Sequence, residues 1–290
     1  MTTTHTLETP ECDIAYDVRG PLPTADGRPP LFMVGQPMTA GSFGTLAWLF
    51  PDRTVVTYDP RGLGRSTRSD GRVDNTPEVQ ARDVHAVIEA LDAGPVEMFA
   101  SSGGAVTALA LVAGYPDDVS TLVAHEPPLI PVLADAVAAE RARAAVRDAY
   151  DAGGRGAGMA AFIAMTSWPG EFTDAYFARP APDPAGFGMP CEDDGSRDDP
   201  LLSDRSWAIT SYRPDVDALA DAPTRVVIAV GEESGRGFTG RTSHATADLL
   251  GQRATVFPSH HGGFLGAESG YAGQPEAFAD RLRAVLEDGH

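Results

Sequence analysis

The stretch Val96–Val106, VEMFASSGGAV, runs from apolar residues into two serines and two glycines, and the chain then resumes as VTALALVAG. A strand turning sharply into a helix accounts for that order. Such an elbow strains the residue at its tip and presents that side chain above a sheet. Strand and helix backbones converge there, so the residues two before and two after the tip must be small. With Ser102 at the tip those positions hold Ala100 and Gly104. With Ser101 they hold Phe99 and Gly103, and the Phe would clash. Ser102 is therefore the expected nucleophile, and a base, an orienting acid and donors for a developing oxyanion must come from elsewhere in the chain.

Working outward, short apolar runs recur at 13–18, 31–35, 54–59, 96–100, 120–126, 224–230 and 253–257. The middle ones lack alternation, as expected of strands buried on both faces. Helical stretches lie between them. One follows the cap Thr76 and Pro77, places Val84, Val87, Ile88 and Leu91 on one stripe, and stops at Gly94. Strands alternating with helices predict an α/β protein with a mostly parallel central sheet and helices on both faces. The alternation breaks between 127 and 218. Residues 133–153, 158–168 and 171–180 read as helical, and the following stretch to 205 is rich in Pro, Gly and Asp. This predicts a core from 1–126 and 219–290, with 127–218 inserted as a helical cap or lid.

The chain has 290 residues, a net charge of −19 and no lysine among its 22 basic residues. That negative field argues against nucleic acid or an anionic membrane as partner. Cys12 and Cys191 fit neither a metal-ligand spacing nor a disulfide framework, which predicts a reducing compartment. No apolar run approaches the length of a membrane span, and the N-terminus lacks an apolar signal core. A soluble cytoplasmic protein is expected, with a small-molecule substrate and a monomer or homodimer both open.

Three further segments bear on the chemistry: YDPRGLGRS (58–66), VGQP (34–37) and FPSHHGGF (257–264). With the elbow at Ser102, their order resembles the α/β-hydrolase family over nearly all of the chain outside the cap. The resemblance implies an oxyanion site from two backbone N–H groups, that of Gly103 after the nucleophile and that of Gln36 in the VGQP turn. Val34 stands where the family often has a His, and Pro37 cannot donate. The resemblance also puts the base in FPSHHGGF, at His261 or His260, with His261 the better fit to the distance from the strand end. Of the other histidines, His85 lies in an amphipathic helix and His244 on a late helix. His5 and His290 lie near the ends, and His125 closes a strand as a core or supporting group.

The acid departs from the pattern. Where the family usually has an Asp after the seventh strand, VGEES places Ser234, and a hydroxyl cannot stabilise an imidazolium as a carboxylate does. Glu232 and Glu233 are adjacent. Glu126, in LVAHEPP, ends the neighbouring strand, and adjacent strands lie only about 5 Å apart, so a Glu there can reach the same His. Haloalkane dehalogenases resemble this arrangement, but their nucleophile is Asp.

These readings predict a serine hydrolase with the set Ser102, His261 and Glu126. Its substrate would be an ester, thioester or lactone of an uncharged, fairly apolar small molecule. No metal or organic cofactor is implied. The same set serves carbon–carbon bond hydrolysis and peracid formation. A weakly active or non-catalytic binding protein on the same fold is the alternative that Ser234 motivates.

Overall fold

Residues that face two cores cannot alternate in hydropathy, and the third strand illustrates this. In the computed structural model, which describes residues 1–288, Leu31 and Met33 enter one apolar cluster while Phe32 and Val34 enter another across the sheet. Residues 289 and 290, and His290 with them, lie outside the described residues.

The chain opens with β1 (Thr2–Glu8) and β2 (Cys12–Arg19), then β3 (Leu31–Gln36), α1 (Gly44–Trp48), β4 (Val55–Tyr58) and the two-residue β5 (Thr67–Arg68). Next come α2 (Pro77–Leu91), β6 (Val96–Ser102), α3 (Gly103–Gly114) and β7 (Val119–His125). Between β7 and β8 (Arg225–Gly231) lie α4 (Ala136–Thr166), α5 (Asp174–Phe177), α6 (Asp204–Trp207) and α7 (Val216–Asp221). The chain closes with α8 (Phe238–Leu249), β9 (Thr255–Phe257) and α9 (Pro275–Glu287).

The strands form one sheet in the order β1-β2-β4-β3-β6-β7-β8-β9, with β5 beside β2. From β4 to β9 along that order every pairing is parallel, and β1 and β2 are antiparallel. One face packs Val84, Val87 and Ile88 of α2 and Leu109 of α3 against Ile14, Val56 and Leu122. The other packs Leu46 of α1 and Phe278 and Leu282 of α9 against Phe99, Val123 and Phe257.

The helix over 77–91 begins as its sequence predicts. The Thr76 hydroxyl accepts the Val79 N–H and Pro77 sits in the first turn. It ends earlier than Gly94, with Asp92 taking the left-handed conformation at φ 49°. β1 escapes a hydropathy reading because it is an exposed edge strand, with only Leu7 partly buried. Its four threonines favour extended backbone through β-branching.

After β7 the chain leaves the sheet. The helical stretches read at 133–153 and 158–168 meet at a kink in α4, where Gly154 takes φ 74°. A methyl group on Gly156 would lie 1.8 Å from the Pro190 carbonyl oxygen, so only glycine lets the later segment cross here. A third cluster, including Ile130, Ala139, Val146 and Met165, takes in Phe238 of α8 and so ties this excursion to the core.

Candidate active site

The turn between β6 and α3 places Ser102 at φ 56°, ψ −129°, partly exposed. A non-glycine residue held there stores on the order of 1–3 kcal/mol, which the surrounding packing must offset. The crowding has a measurable form. A Cβ on Gly104 would lie 2.5 Å from the Val34 carbonyl oxygen, and one on Gly103 would lie 2.7 Å from that of Gln36. Ala100 is fully buried on the strand side of the elbow. Among the described residues the Ser102 hydroxyl makes no hydrogen bond.

The neighbouring strand ends the same way. Glu126 follows β7 at φ 51° and is fully buried. Its Oε1 accepts the Gly231 N–H at 2.8 Å, and its Oε2 lies 2.6 Å from Nδ1 of His261. Burial pushes the carboxyl pKa up. The hydrogen bond and charge of His261, the His125 ring and the Ser234 hydroxyl outweigh it, and the group sits well below the usual carboxylate range. Since an ionised carboxylate only accepts, Nδ1 of His261 carries the proton and Nε2 is left as a lone-pair acceptor. Nε2 has no hydrogen-bond partner among the described residues.

The loop after β9 is pinned to the turn after β8. Ser259, at φ 70°, accepts the Glu233 N–H at 3.0 Å, and its own N–H reaches Glu232 Oε1 at 3.2 Å. Glu232 thus holds the histidine loop, and Glu233 is exposed on the cavity rim. Neither carboxylate bonds a histidine among the described residues. His260 turns away from Glu126: its ring stacks on Tyr271 with centroids 4.0 Å apart, and its Nε2 lies 3.2 Å from the Ala272 carbonyl oxygen. Of the two histidines, His261 is the one brought to a carboxylate.

Gln36 ends β3 directly beside Ser102 in the sheet register, followed by a cis bond to Pro37. Gly103 opens α3, so Gln36 and Gly103 are the neighbours of the serine across the sheet and along the chain. The Gln36 side chain, buried at 2% exposure, has a second engagement. Its Nε2 donates to the Arg205 carbonyl and to the Ser206 hydroxyl of α6, both at 3.2 Å.

Ser102, Gln36, Gly103 and His261 share one cavity of about 880 Å³. Its apolar wall includes Ile130, Val146, Met165, Trp207, Ile209 and Phe238. Two wall cations, Arg143 and Arg147, stack on Trp207 at 3.7 and 4.5 Å and are paired with Glu140 and Asp204. α6 is thereby held from both sides. Arg143 and Arg147 grip it from α4, while Gln36 and the Arg205 bond to the Gly62 carbonyl tie it to the core. Sequence gave no sign of these ties, because they depend on which loop α6 meets after folding. Among the described residues no cluster of His, Cys, Asp and Glu could hold a metal, and no helix is long and apolar enough to cross a membrane. Cys12 and Cys191 are both free.

Residues 42–166 match the alpha/beta hydrolase fold family. The chain is 34% identical over 129 residues to the uncharacterized hydrolase YraK of Bacillus subtilis (strain 168), covering 44% of this chain and 46% of that protein. It is also 34% identical over 76 residues to a zearalenone hydrolase of Bionectria ochroleuca, covering 26% and 29%. The matched stretches span less than half the length of these curated relatives. Among solved structures, a thermophilic esterase from Thermogutta terrifontis, malate bound, superposes with a TM-score of 0.63 at 19% identity, covering 100% of this chain and 99% of that one. At that identity the likeness is one of fold.

Proposed function

From the α/β-hydrolase fold and the match of residues 42–166 to that family, we propose that the protein is a serine hydrolase acting on an ester, thioester or lactone of an uncharged, fairly apolar small molecule. The observation that carries this reading is the 2.6 Å bond between His261 Nδ1 and the buried Glu126 carboxylate, on the same cavity as the strained Ser102. The hydrolase and esterase names of the relatives agree with it.

In this reading Ser102 Oγ attacks the carbonyl carbon and its proton passes to Nε2 of His261. The imidazolium that forms is stabilised through Nδ1 by Glu126, whose carboxylate its hydrogen bonds and the neighbouring charge keep ionised against the opposing effect of burial. The carbonyl oxygen takes up negative charge between the N–H groups of Gln36 and Gly103, where fixed donors need no reorganisation. The tetrahedral adduct collapses, and the leaving oxygen or sulfur takes the proton from His261. Water, deprotonated by the same His261, then attacks the acyl carbon and releases the acid and Ser102.

Residues 127–218 act as the cap over this site and shape the acyl or leaving-group pocket. Wall cations neutralised by Glu140 and Asp204 favour an uncharged guest over an anionic one. The net charge of −19 disfavours nucleic acid as a partner.

A fluorophosphonate probe and a chain-length series of p-nitrophenyl esters test the proposal. Stoichiometric labelling at Ser102 and turnover that rises with acyl length into the apolar wall are expected. A protein that neither labels nor turns over any ester of the series is a binding protein on this fold.

A further inference from the structure

Directly beneath the reacting groups sits a polar pair that the mechanism above does not use. Ser101 and His125 are register partners on β6 and β7, and both are fully buried. The Ser101 hydroxyl lies 3.1 Å from Nδ1 of His125. A hydroxyl can donate or accept, so the bond forms with either tautomer of the ring. The other nitrogen, Nε2, is buried with no partner among the described residues.

The surroundings make a histidine there costly. The ring is packed among Phe99, Phe257, Phe264 and Phe278, with centroids 5.2–6.3 Å away. Burial lowers its pKa to about 4, so it is neutral in ordinary conditions. A phenylalanine would fill such a cage without leaving a buried nitrogen unpaired. Core packing alone therefore does not account for this residue.

Its position suggests what does. The residue after Ser101 is the nucleophile at φ 56°, and the residue after His125 is the acid at φ 51°. The hydrogen bond joins the last ordinary strand residues before two strained turns. On the same ring, His261 lies nearly parallel to His125, at 21° and 6.0 Å between centroids.

We propose that His125 is a positioning residue. Through Ser101 it clasps the ends of β6 and β7, so that Ser102 and Glu126 keep one relative placement, and its ring is the floor that sets the plane of His261. The proposal rests on the hydrolase reading for its effect on rate, but the clasp has a readout of its own.

The test uses Ser101→Ala, His125→Phe, the double variant, and Ser101→Thr, which keeps the hydroxyl. Steady-state kinetics on a p-nitrophenyl ester are paired with the proton NMR resonance shared by His261 Nδ1 and Glu126. Each of the first two variants is expected to lower kcat about 10-fold with KM within about 2-fold, as small misplacements do in oriented sites. The double variant should be no worse than either single one, because one bond is lost in all three. The shared-proton resonance should shift or broaden in these variants and stay in place in Ser101→Thr. Ser101→Ala removes a single oxygen, so it reports even if His125→Phe does not fold. Rates within about 2-fold of wild type, or losses that multiply in the double variant, overturn the clasp. An unchanged resonance in Ser101→Ala overturns it whether or not any ester is turned over. Failure of the wild-type protein to label or turn over, with the resonance shifting as expected, counts against the hydrolase reading and leaves the clasp standing.

Discussion

The turns after β6 and β7 are built alike and used differently. Both put a non-glycine residue at positive φ, 56° for Ser102 and 51° for Glu126, at the ends of adjacent parallel strands. After Ser102 the chain enters α3 through two glycines, which lets the helix start close against β3 and leaves the serine partly open to the cavity. After Glu126 it runs into Pro127 and Pro128 and leaves the sheet, and the carboxylate is sealed at 0% exposure. A nucleophile must be reachable, whereas an orienting acid works best where water cannot screen it. In the proposed hydrolase, one positive-φ turn thus serves opposite demands, and the chain that follows each turn decides which.

The largest break in this comparison comes from the open turn. Ser102→Ala is expected to cost on the order of 10⁶ in kcat, and to abolish fluorophosphonate labelling, while far-UV circular dichroism is unchanged. Labelling that survives this change but not Ser101→Ala would move the elbow by one residue. The sealed turn comes next. Glu126→Gln keeps the shape but removes the charge, and should lower kcat on the order of 10⁴, whereas Glu232→Gln and Glu233→Gln should stay within about 3-fold. Equal losses in Glu126→Gln and Glu232→Gln would mean that holding the histidine loop matters as much as charge.

Acid sharpens the comparison through the floor beneath both turns. His125 titrates at about 4 in the folded chain against a usual 6.5, so the unfolded chain binds the extra proton first as pH falls. Stability is then full above about pH 6.5 and declines by on the order of 3 kcal/mol toward pH 4. Glu126, also held low, adds its own loss only below the ordinary carboxylate range. Urea melts across this range should show the His125 part removed in His125→Phe; an identical slope in that variant would assign the decline to other groups. The smallest effect belongs to the wall. Trp207→Ala should raise KM about 10-fold for the longer esters with kcat little changed, since it removes binding made equally in ground and transition states.

How much of this was legible depended on whether a feature is local. The elbow could be read because its constraint lies within five residues: Ala100, Ser102 and Gly104 must be small, bent and small. The central strands could be read because burial on both faces writes itself as an apolar run. Glu126 could be considered because two parallel neighbours bring their ends within a side chain's reach. The choice between His260 and His261 was not decided by sequence. It turns on Ser259 at φ 70°, which rotates one ring toward Tyr271 and the next toward Glu126. β1 was invisible for a different reason, since an exposed edge strand needs no apolar face. His125 was visible as a strand end, but its bond to Ser101 exists only through the register of β6 on β7.

α6 has a consequence for traffic. Four residues tied to α4 on one side and to Gln36 and Gly62 on the other cannot swing out without breaking both sets of bonds together. The exposed part of the cavity rim lies elsewhere, at Ser167, Glu233, Gly235, Arg236 and Tyr271. A roof fastened this way makes a threshold rather than a hinged door. In the hydrolase proposed above, substrate is therefore expected to enter past exposed side chains that need only change rotamer, and not through a swing of α6.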